Sequence, residues 1–368
     1  MTRIPTLLVG GFLGAGKTTL IATATERLRA RGRRVGVITN DQAANLVDTA
    51  SLTRPGLPVQ EVAGGCFCCR FDDLVAAMGR IVESEAPDVL IGEPVGSCTD
   101  LSATVLQPMK RLLADRFLTA PFSVLVDGTQ LRGVLQDGEK QRFPENVLYI
   151  YRKQLEEADV IVLNQVDLLD GPALAESKTL LEREFPQTPV MVLSAANGTG
   201  VDAWLEHVLA ASESGKTVAE VDYDIYADGE AALGWLNASV SLHAGRKTKW
   251  QPFCSALMES MRSTFREADA EIAHLKVHLS AGENVLTANL TSNEGMISLR
   301  GESKASSPDA RLLINARVHV DAERLRSITE RCLAATAGDT IHFEIDDLRH
   351  FAPARPTPTH RYDSAVES

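Results

Sequence analysis

Two clusters of residues in this chain could do chemistry. The first is GFLGAGKT, residues 11–18, which fits G-x-x-x-x-G-K-[ST] and sits between an apolar run and a periodic segment. In a strand–loop–helix setting, Gly11, Gly14 and Gly16 let the backbone turn. The N–H groups of residues 14 to 19, including Ala15 and Thr19, then face a β-phosphate at a helix N-terminus. Lys17 would bridge β- and γ-phosphate, and the Thr18 hydroxyl would hold Mg²⁺. The second cluster is CFCC, in which Cys66, Cys68 and Cys69 are three of the chain's six cysteines. Neighbouring side chains on an extended chain point apart, but Gly64 and Gly65 permit a tight turn that swings the three sulfurs toward one point. Three thiolates form a soft site for Zn²⁺ or Cu(I), with Fe²⁺ and Co²⁺ as further options, and binding displaces their protons. A fourth position is left for Glu61, Cys98, water or a client protein. The alternatives are a closed zinc knuckle that only staples the loop, or three small buried hydrophobes. A structural zinc site ordinarily draws on two separated Cys/His pairs, and this stretch does not supply them.

Around these clusters, three strand ends offer further groups. VITND ends in Asn40 and Asp41, and VLIGEPVG brings Glu93 and Gly96 to the next one. Carboxylates at strand C-termini are placed to hold Mg²⁺ and to orient an attacking water, so Asp41 and Glu93 join Lys17 as catalytic candidates. Gly96 can offer its N–H to γ-phosphate. VIVLNQVDLL puts Asn164 and Asp167 at a third strand end; an Asp carboxylate accepts from guanine N1–H and N2–H, a pair adenine lacks, which selects GTP. Gln165 packs its methylenes on the base. Backbone N–H groups near Ser194 and Ala195, in MVLSAANG, are candidates for guanine O6. Each of these is also an ordinary cap or turn residue when read singly.

The elements that position these groups follow from hydrophobic period. TLLVG, RVGVIT, DVLIGE, FSVLVDG, DVIVLN and PVMVLS read as buried strands, with helical patterns over 18–31, 72–86, 173–185 and 201–211. The pattern predicts an α/β protein of P-loop NTPase type, with a parallel, doubly wound sheet over residues 1–211. An aperiodic linker spans 212–224. Residues 222–352 read as strand, helix, several strands, helix and strand, a smaller ferredoxin-like α+β domain. Residues 353–368 are Pro-rich and predicted to be a flexible tail. His274 and His278 share an i, i+4 spacing but lie in an alternating segment, so they are assigned to the exposed face of a strand. The 368 residues, 44% hydrophobic, suffice for two cores. With 37 basic against 49 acidic residues the net charge of −12 disfavours nucleic acid. No apolar run is long enough for a membrane span, no leader is recognisable, and clustered free cysteines suit a reducing compartment, so a cytoplasmic protein is expected.

Taken in order, GGFLGAGKTTL, EVAGGCFCC, GEPVG and NQVD resemble the CobW family of P-loop GTPases, relatives of the urease and hydrogenase accessory GTPases. The resemblance covers residues 4 to 210. It implies a metallochaperone that hydrolyses GTP to GDP and phosphate, using Mg²⁺, and that hands a transition metal, Zn²⁺ first, to a client protein. Lys17, Thr18 and Glu93 fall in its Walker motifs, Cys66, Cys68 and Cys69 in its metal motif, and Asn164 and Asp167 in its base motif. A homodimer is compatible with this reading. Two places depart from the family pattern: Gln165 stands where Lys is usual, and EPVGSCTDL replaces Glu-x-Ser/Thr-Gly-Leu, leaving Cys98 without an inherited role. Two rivals remain, a P-loop kinase of a small molecule and a scaffold that binds GTP and metal without useful turnover.

Overall fold

The computed structural model describes residues 3–42, 47–52, 57–135, 142–211, 213–301 and 307–367. They form two compact units. The first unit is built on parallel strands β1 (Ile4–Gly11), β2 (Val35–Asp41), β3 (Val59–Ala63), β4 (Val89–Glu93), β5 (Phe117–Thr119), β6 (Ser123–Asp127), β7 (Val160–Asn164) and β8 (Val190–Val192). Their order is β3-β2-β4-β1-β6-β7-β8, with β5 paired to the start of β1. The helices along this part of the chain are α1 (Lys17–Ala30), α2 (Val47–Leu52), which up to Ser51 belongs to the second unit, α3 (Phe71–Glu85), α4 (Gln107–Leu112), α5 (Arg132–Leu135), α6 (Glu145–Glu156), α7 (Gly171–Glu184) and, after β8, α8 (Val201–Ala210).

The sequence explains the layering. β2, β4, β6 and β7 are buried at every position, as strands covered by helices on both faces must be, and their unbroken apolar runs meet that demand. In α1, Leu20, Ile21, Ala24 and Leu28 recur at helical spacing and seat the helix in the core beside Val9 and Trp204. The glycine loop therefore leaves the central strand β1 and enters α1 directly.

The second unit holds α9's later residues (α9, Tyr223–Ala231) and an antiparallel sheet of β9 (Gly234–Thr248), β10 (Glu271–Ala281), β11 (Asn284–Leu290), β12 (Ser298–Arg300), β13 (Ser307–His319) and β14 (His342–Phe351). The order is β12-β11-β10-β13-β9-β14. Helices α10 (Gln251–Glu267) and α11 (Ala322–Ala337) supply the apolar side chains that fill its core, Phe253, Leu257, Met261 and Phe265 among them. Its four strands β14-β9-β13-β10 have the expected ferredoxin-like arrangement, extended at one edge by β11 and β12.

The units do not fall where the sequence suggests. The first runs to Tyr226 and takes in Arg355–Ser368; the second includes Ala43–Ser51 with Ala227–Ala354. Within that second unit the Lys276 ammonium pairs with Asp48, and the Asn315 side chain accepts from the Val47 N–H. Residue 212 of the expected linker lies outside the described residues. The C-terminal segment, expected to be a flexible tail, is hydrogen-bonded along the first unit. His278 also departs from expectation: it lies in β10 as read, but it is buried, and burial pushes its imidazole pKa down. No described helix is long and apolar enough to cross a membrane.

Candidate nucleotide and metal site

At the glycine loop, the Lys17 ammonium is buried and donates to the carbonyl oxygens of Gly11 at 2.7 Å and Phe12 at 3.2 Å. Gly16 has φ 96°, and a Cβ there would stand 2.3 Å from Asn164 Nδ2. Only glycine fits, because that close approach is a hydrogen bond: Asn164 Nδ2 donates to Ala15 O at 2.8 Å. Thr18 Oγ1 donates to Glu93 Oε1 at 2.8 Å, so the hydroxyl and carboxylate expected to share a cation are already together. β2 and β4 are neighbours in register Thr39 to Glu93, which puts Asp41 at the adjoining strand end; its Oδ1 accepts from the Gln42 N–H at 2.5 Å. A Cβ on Gly96 would lie 2.9 Å from Lys17 Nζ, which places this glycine against the same ammonium. Thr18 and Glu93 are thus joined and Lys17 and Gly96 lie together, with Asp41 at the end of the neighbouring strand. Hard oxygen donors beside a buried ammonium are the set that Mg²⁺ and a phosphate chain require.

The base-side residues behave differently from expectation. Asn164 spends its Nδ2 on the phosphate loop, and its Oδ1 accepts from the Ala195 N–H at 2.9 Å. The Ser194 N–H is likewise committed, to Thr199 O at 2.9 Å. These two amides are therefore not offered to guanine O6; they and Asn164 lock the third strand end to the loop. Gln165, at φ 63°, reaches Gly14 O at 3.4 Å. Asp167 alone of this group is exposed and has its carboxylate available at the strand end. A residue that sequence reasoning missed, Asp127, ends β6 under Gln165. It accepts from Thr129 and Gln130, while burial pushes its carboxyl pKa up.

The cysteine loop turns as expected, with Gly64 at φ 83°. Cys66 Sγ lies 2.7 Å from Cys68 Sγ and 3.2 Å from Cys69 Sγ, and Cys68 to Cys69 is 3.8 Å. Tetrahedral zinc with Zn–S of ~2.3 Å holds its sulfurs about 3.8 Å apart, so small outward shifts admit the ion. These three are the only metal-capable group of His, Cys, Asp and Glu found among the described residues, with all ligand atoms within 4.8 Å of one another; Glu61 is outside it. Hydrogen bonds from Cys68 and then Cys69 hold the Cys66 thiol well below its ordinary pKa. The same bonds push Cys68 up, and Cys69 up to about 11. Of the three thiols, Cys66 is therefore the one that its neighbours favour most for deprotonation.

Asn40 connects the two clusters. Its Nδ2 donates to Val62 O at 2.9 Å and Gly65 O at 2.7 Å, and its Oδ1 accepts from the Phe67 N–H at 2.8 Å. The residue beside Asp41 therefore fixes the loop that carries the sulfurs. On the far side, the C-terminal segment lies along that loop. Thr357 N–H donates to Cys69 Sγ at 3.3 Å and Thr359 N–H to Cys68 O at 2.9 Å, while the His360 ring meets Phe71 edge-on. Arg361 Nε anchors the segment on Asp100 Oδ2 at 2.8 Å, where Tyr223 OH also donates at 2.7 Å. Asp100 and nearby Glu157 are buried, and desolvation raises both carboxyl pKa values, Glu157 strongly.

A central parallel strand running into a glycine loop, with a buried lysine and a Thr–Glu pair beside it, defines a P-loop nucleotide-binding protein. The chain belongs to the CobW/HypB/UreG nucleotide-binding domain family, whose model matches residues 5–191. It is similar to the zinc chaperone CobW of Sinorhizobium sp, 27% identical over 215 residues, or 53% of this chain and 60% of that protein. It is similar also to the zinc chaperone YeiR of Escherichia coli K12, 31% identical over 194 residues, or 51% and 52%. The chain thus spans between about half and three fifths of the length of these relatives. Among solved structures, the Zn(II)-bound YjiA GTPase from E. coli aligns over 90% of this chain and 99% of its own at 16% identity, TM-score 0.35. The hydrogenase maturation factor HypB from Archaeoglobus fulgidus aligns over 56% and 89% at 20% identity, TM-score 0.39.

Proposed function

We propose that this protein is a GTP-hydrolysing metallochaperone: it takes a transition metal, Zn²⁺ first, at Cys66, Cys68 and Cys69 and releases it to a client protein when bound GTP is cleaved. In this reading Lys17 and the loop amides bind the phosphates, and Thr18, Glu93 and Asp41 hold Mg²⁺. Mg²⁺ supplies charge neutralisation at the γ-phosphate, and Asp167 selects guanine. The names of the curated relatives agree with zinc as the cargo.

One observation carries the proposal. Asn40, adjacent to Asp41, holds the cysteine loop by three hydrogen bonds, so a change at the end of β2 on γ-phosphate loss is transmitted to the sulfurs within a few residues. The deciding experiment is Zn²⁺ titration of the reduced protein with Mg²⁺ and either GDP or a non-hydrolysable GTP analogue, alongside a triple Cys→Ser variant. Affinities that differ between nucleotides and vanish in the variant are expected. Equal affinities would remove the coupling; ATP preference that survives Asp167→Ala would favour a small-molecule kinase instead.

A further inference from the structure

Resting on the nucleotide reading above, we infer that Gln154 is a positioning residue for the γ-phosphate: it holds the turn that carries Gly96, and through that turn it keeps the Gly96 N–H available to a triphosphate. Gly96 follows Glu93 at the end of β4 and stands against the glycine loop, since a Cβ on it would lie 2.9 Å from Lys17 Nζ and 3.1 Å from Leu13 N. That approach requires glycine, and glycine is also the residue with the widest backbone freedom. Its N–H stays aimed only if something else restrains the chain there. Gln154 Nε2 donates to Gly96 O at 3.0 Å and to Cys98 O at 2.8 Å, and the Cys98 N–H closes the turn on Val95 O at 3.0 Å.

The side chain suits this task. Gln154 is 2% exposed, and a primary amide places two N–H donors on one uncharged nitrogen, so both carbonyls are met without burying an ion. Both partners are acceptors, which fixes the amide with its nitrogen toward the turn. Other residues of the same helix reinforce the arrangement. Tyr151, Gln154 and Glu157 recur every three residues along α6 and its C-cap, the spacing of one helix face. The Tyr151 ring meets that of Phe12, in the glycine loop, edge-on with centroids 5.6 Å apart, and Glu157 accepts from the Ser102 N–H at 2.8 Å. α6 therefore braces both the loop that binds the β-phosphate in this reading and the turn that meets the γ-phosphate. GDP draws only on the first, whereas GTP draws on both. Gln154 thus acts on the difference between the two nucleotides without touching either.

The test is calorimetric titration of the full chain with Mg²⁺ and either GDP or a non-hydrolysable GTP analogue, with Gln154→Met and Gln154→Glu beside it. Met keeps the length and loses the donors; an ionised Glu also loses them and turns negative oxygens toward two carbonyls. GDP affinity should stay within about twofold in Gln154→Met while affinity for the analogue falls roughly tenfold, with a larger fall in Gln154→Glu. Equal losses for both nucleotides would make Gln154 a structural tie only, and unchanged affinities would leave it no role; either overturns this inference and leaves the nucleotide reading intact. Failure of the unaltered protein to bind any guanine nucleotide would overturn both. Hydrogen exchange of the unaltered protein decides the matter even if a variant does not fold: the Cys98 N–H that closes the turn should exchange more slowly with the analogue than with GDP, and equal rates would show that the turn does not respond to the γ-phosphate.

Discussion

Replacing Asn40 by Ala tests the wiring between the phosphate end of the site and the sulfurs. The side chain is 7% exposed and makes three hydrogen bonds of 2.7–2.9 Å, all to the cysteine-bearing segment. At a net ~1 kcal/mol each, with the buried Phe67 N–H left without its acceptor, the loop should lose about 2–4 kcal/mol of local order. Because ~1.4 kcal/mol is a factor of ten, the loop would leave its ordered position roughly a hundred times more often. Zn²⁺ affinity should fall in every nucleotide state, and the ratio of affinities between the GTP-analogue and GDP forms should move toward one. Chelator competition at fixed Mg²⁺ and nucleotide reads both quantities. Asn40→Asp keeps the acceptor for Phe67 but turns a negative oxygen toward two carbonyls, so it should do at least as much damage. Unchanged affinity and an unchanged ratio in Asn40→Ala would refute the idea that β2 communicates with the sulfurs through this residue.

Three other outcomes are expected. Gly16→Ala puts a methyl 2.3 Å from Asn164 Nδ2 at φ 96°, costing about 1–2 kcal/mol in backbone strain alone, and calorimetry should show guanine nucleotide binding lost while circular dichroism keeps its shape. Glu157 has its folded pKa raised well above its ordinary 4.5, so in that window the folded state carries the extra proton and stability falls as pH rises. Glu157→Gln should flatten this slope above the ordinary carboxyl pKa of 4.5 in urea unfolding followed by hydrogen exchange of α6, and an unaltered slope would assign it to another group. Arg361→Ala leaves the 1%-exposed Asp100 without its cation; because Arg361 itself is 32% exposed, we expect a cost of about 1–2 kcal/mol rather than the full figure for a buried pair. The terminal segment should then lift from Cys69 and alkylation of that thiol should quicken, with Arg361→Lys recovering part of the protection; equal rates in all three proteins would mean that the segment does not shield the site.

Wherever the chemistry was written in local spacing, it could be read from the chain. Gly11 to Thr18 contain their own turn, and Gly64 sets the conformation that gathers three nearby cysteines, so both clusters were legible before any contact was known. The buried runs of β2, β4, β6 and β7 likewise declared a sheet covered on both faces, since only such a strand needs apolar residues at every position. Long-range contacts were not legible. Asn40 meets Gly65 and Phe67 across 25 and 27 residues, Gln154 meets Gly96 across 58, and Thr357 meets Cys69 across 288. Each is a polar residue of ordinary type, and nothing in its own neighbourhood distinguishes a solvated side chain from one that bridges two strands. For the same reason Asn164 read as a base contact when it binds the phosphate loop, and the Pro-rich terminus read as a loose tail when Arg361 pins it to a buried carboxylate. The sequence by itself determined which groups could bind phosphate and soft metal, because those are properties of residue type and short spacing. The tertiary structure alone decided which of them share hydrogen bonds, because a strand end acquires its neighbours only when the sheet is assembled.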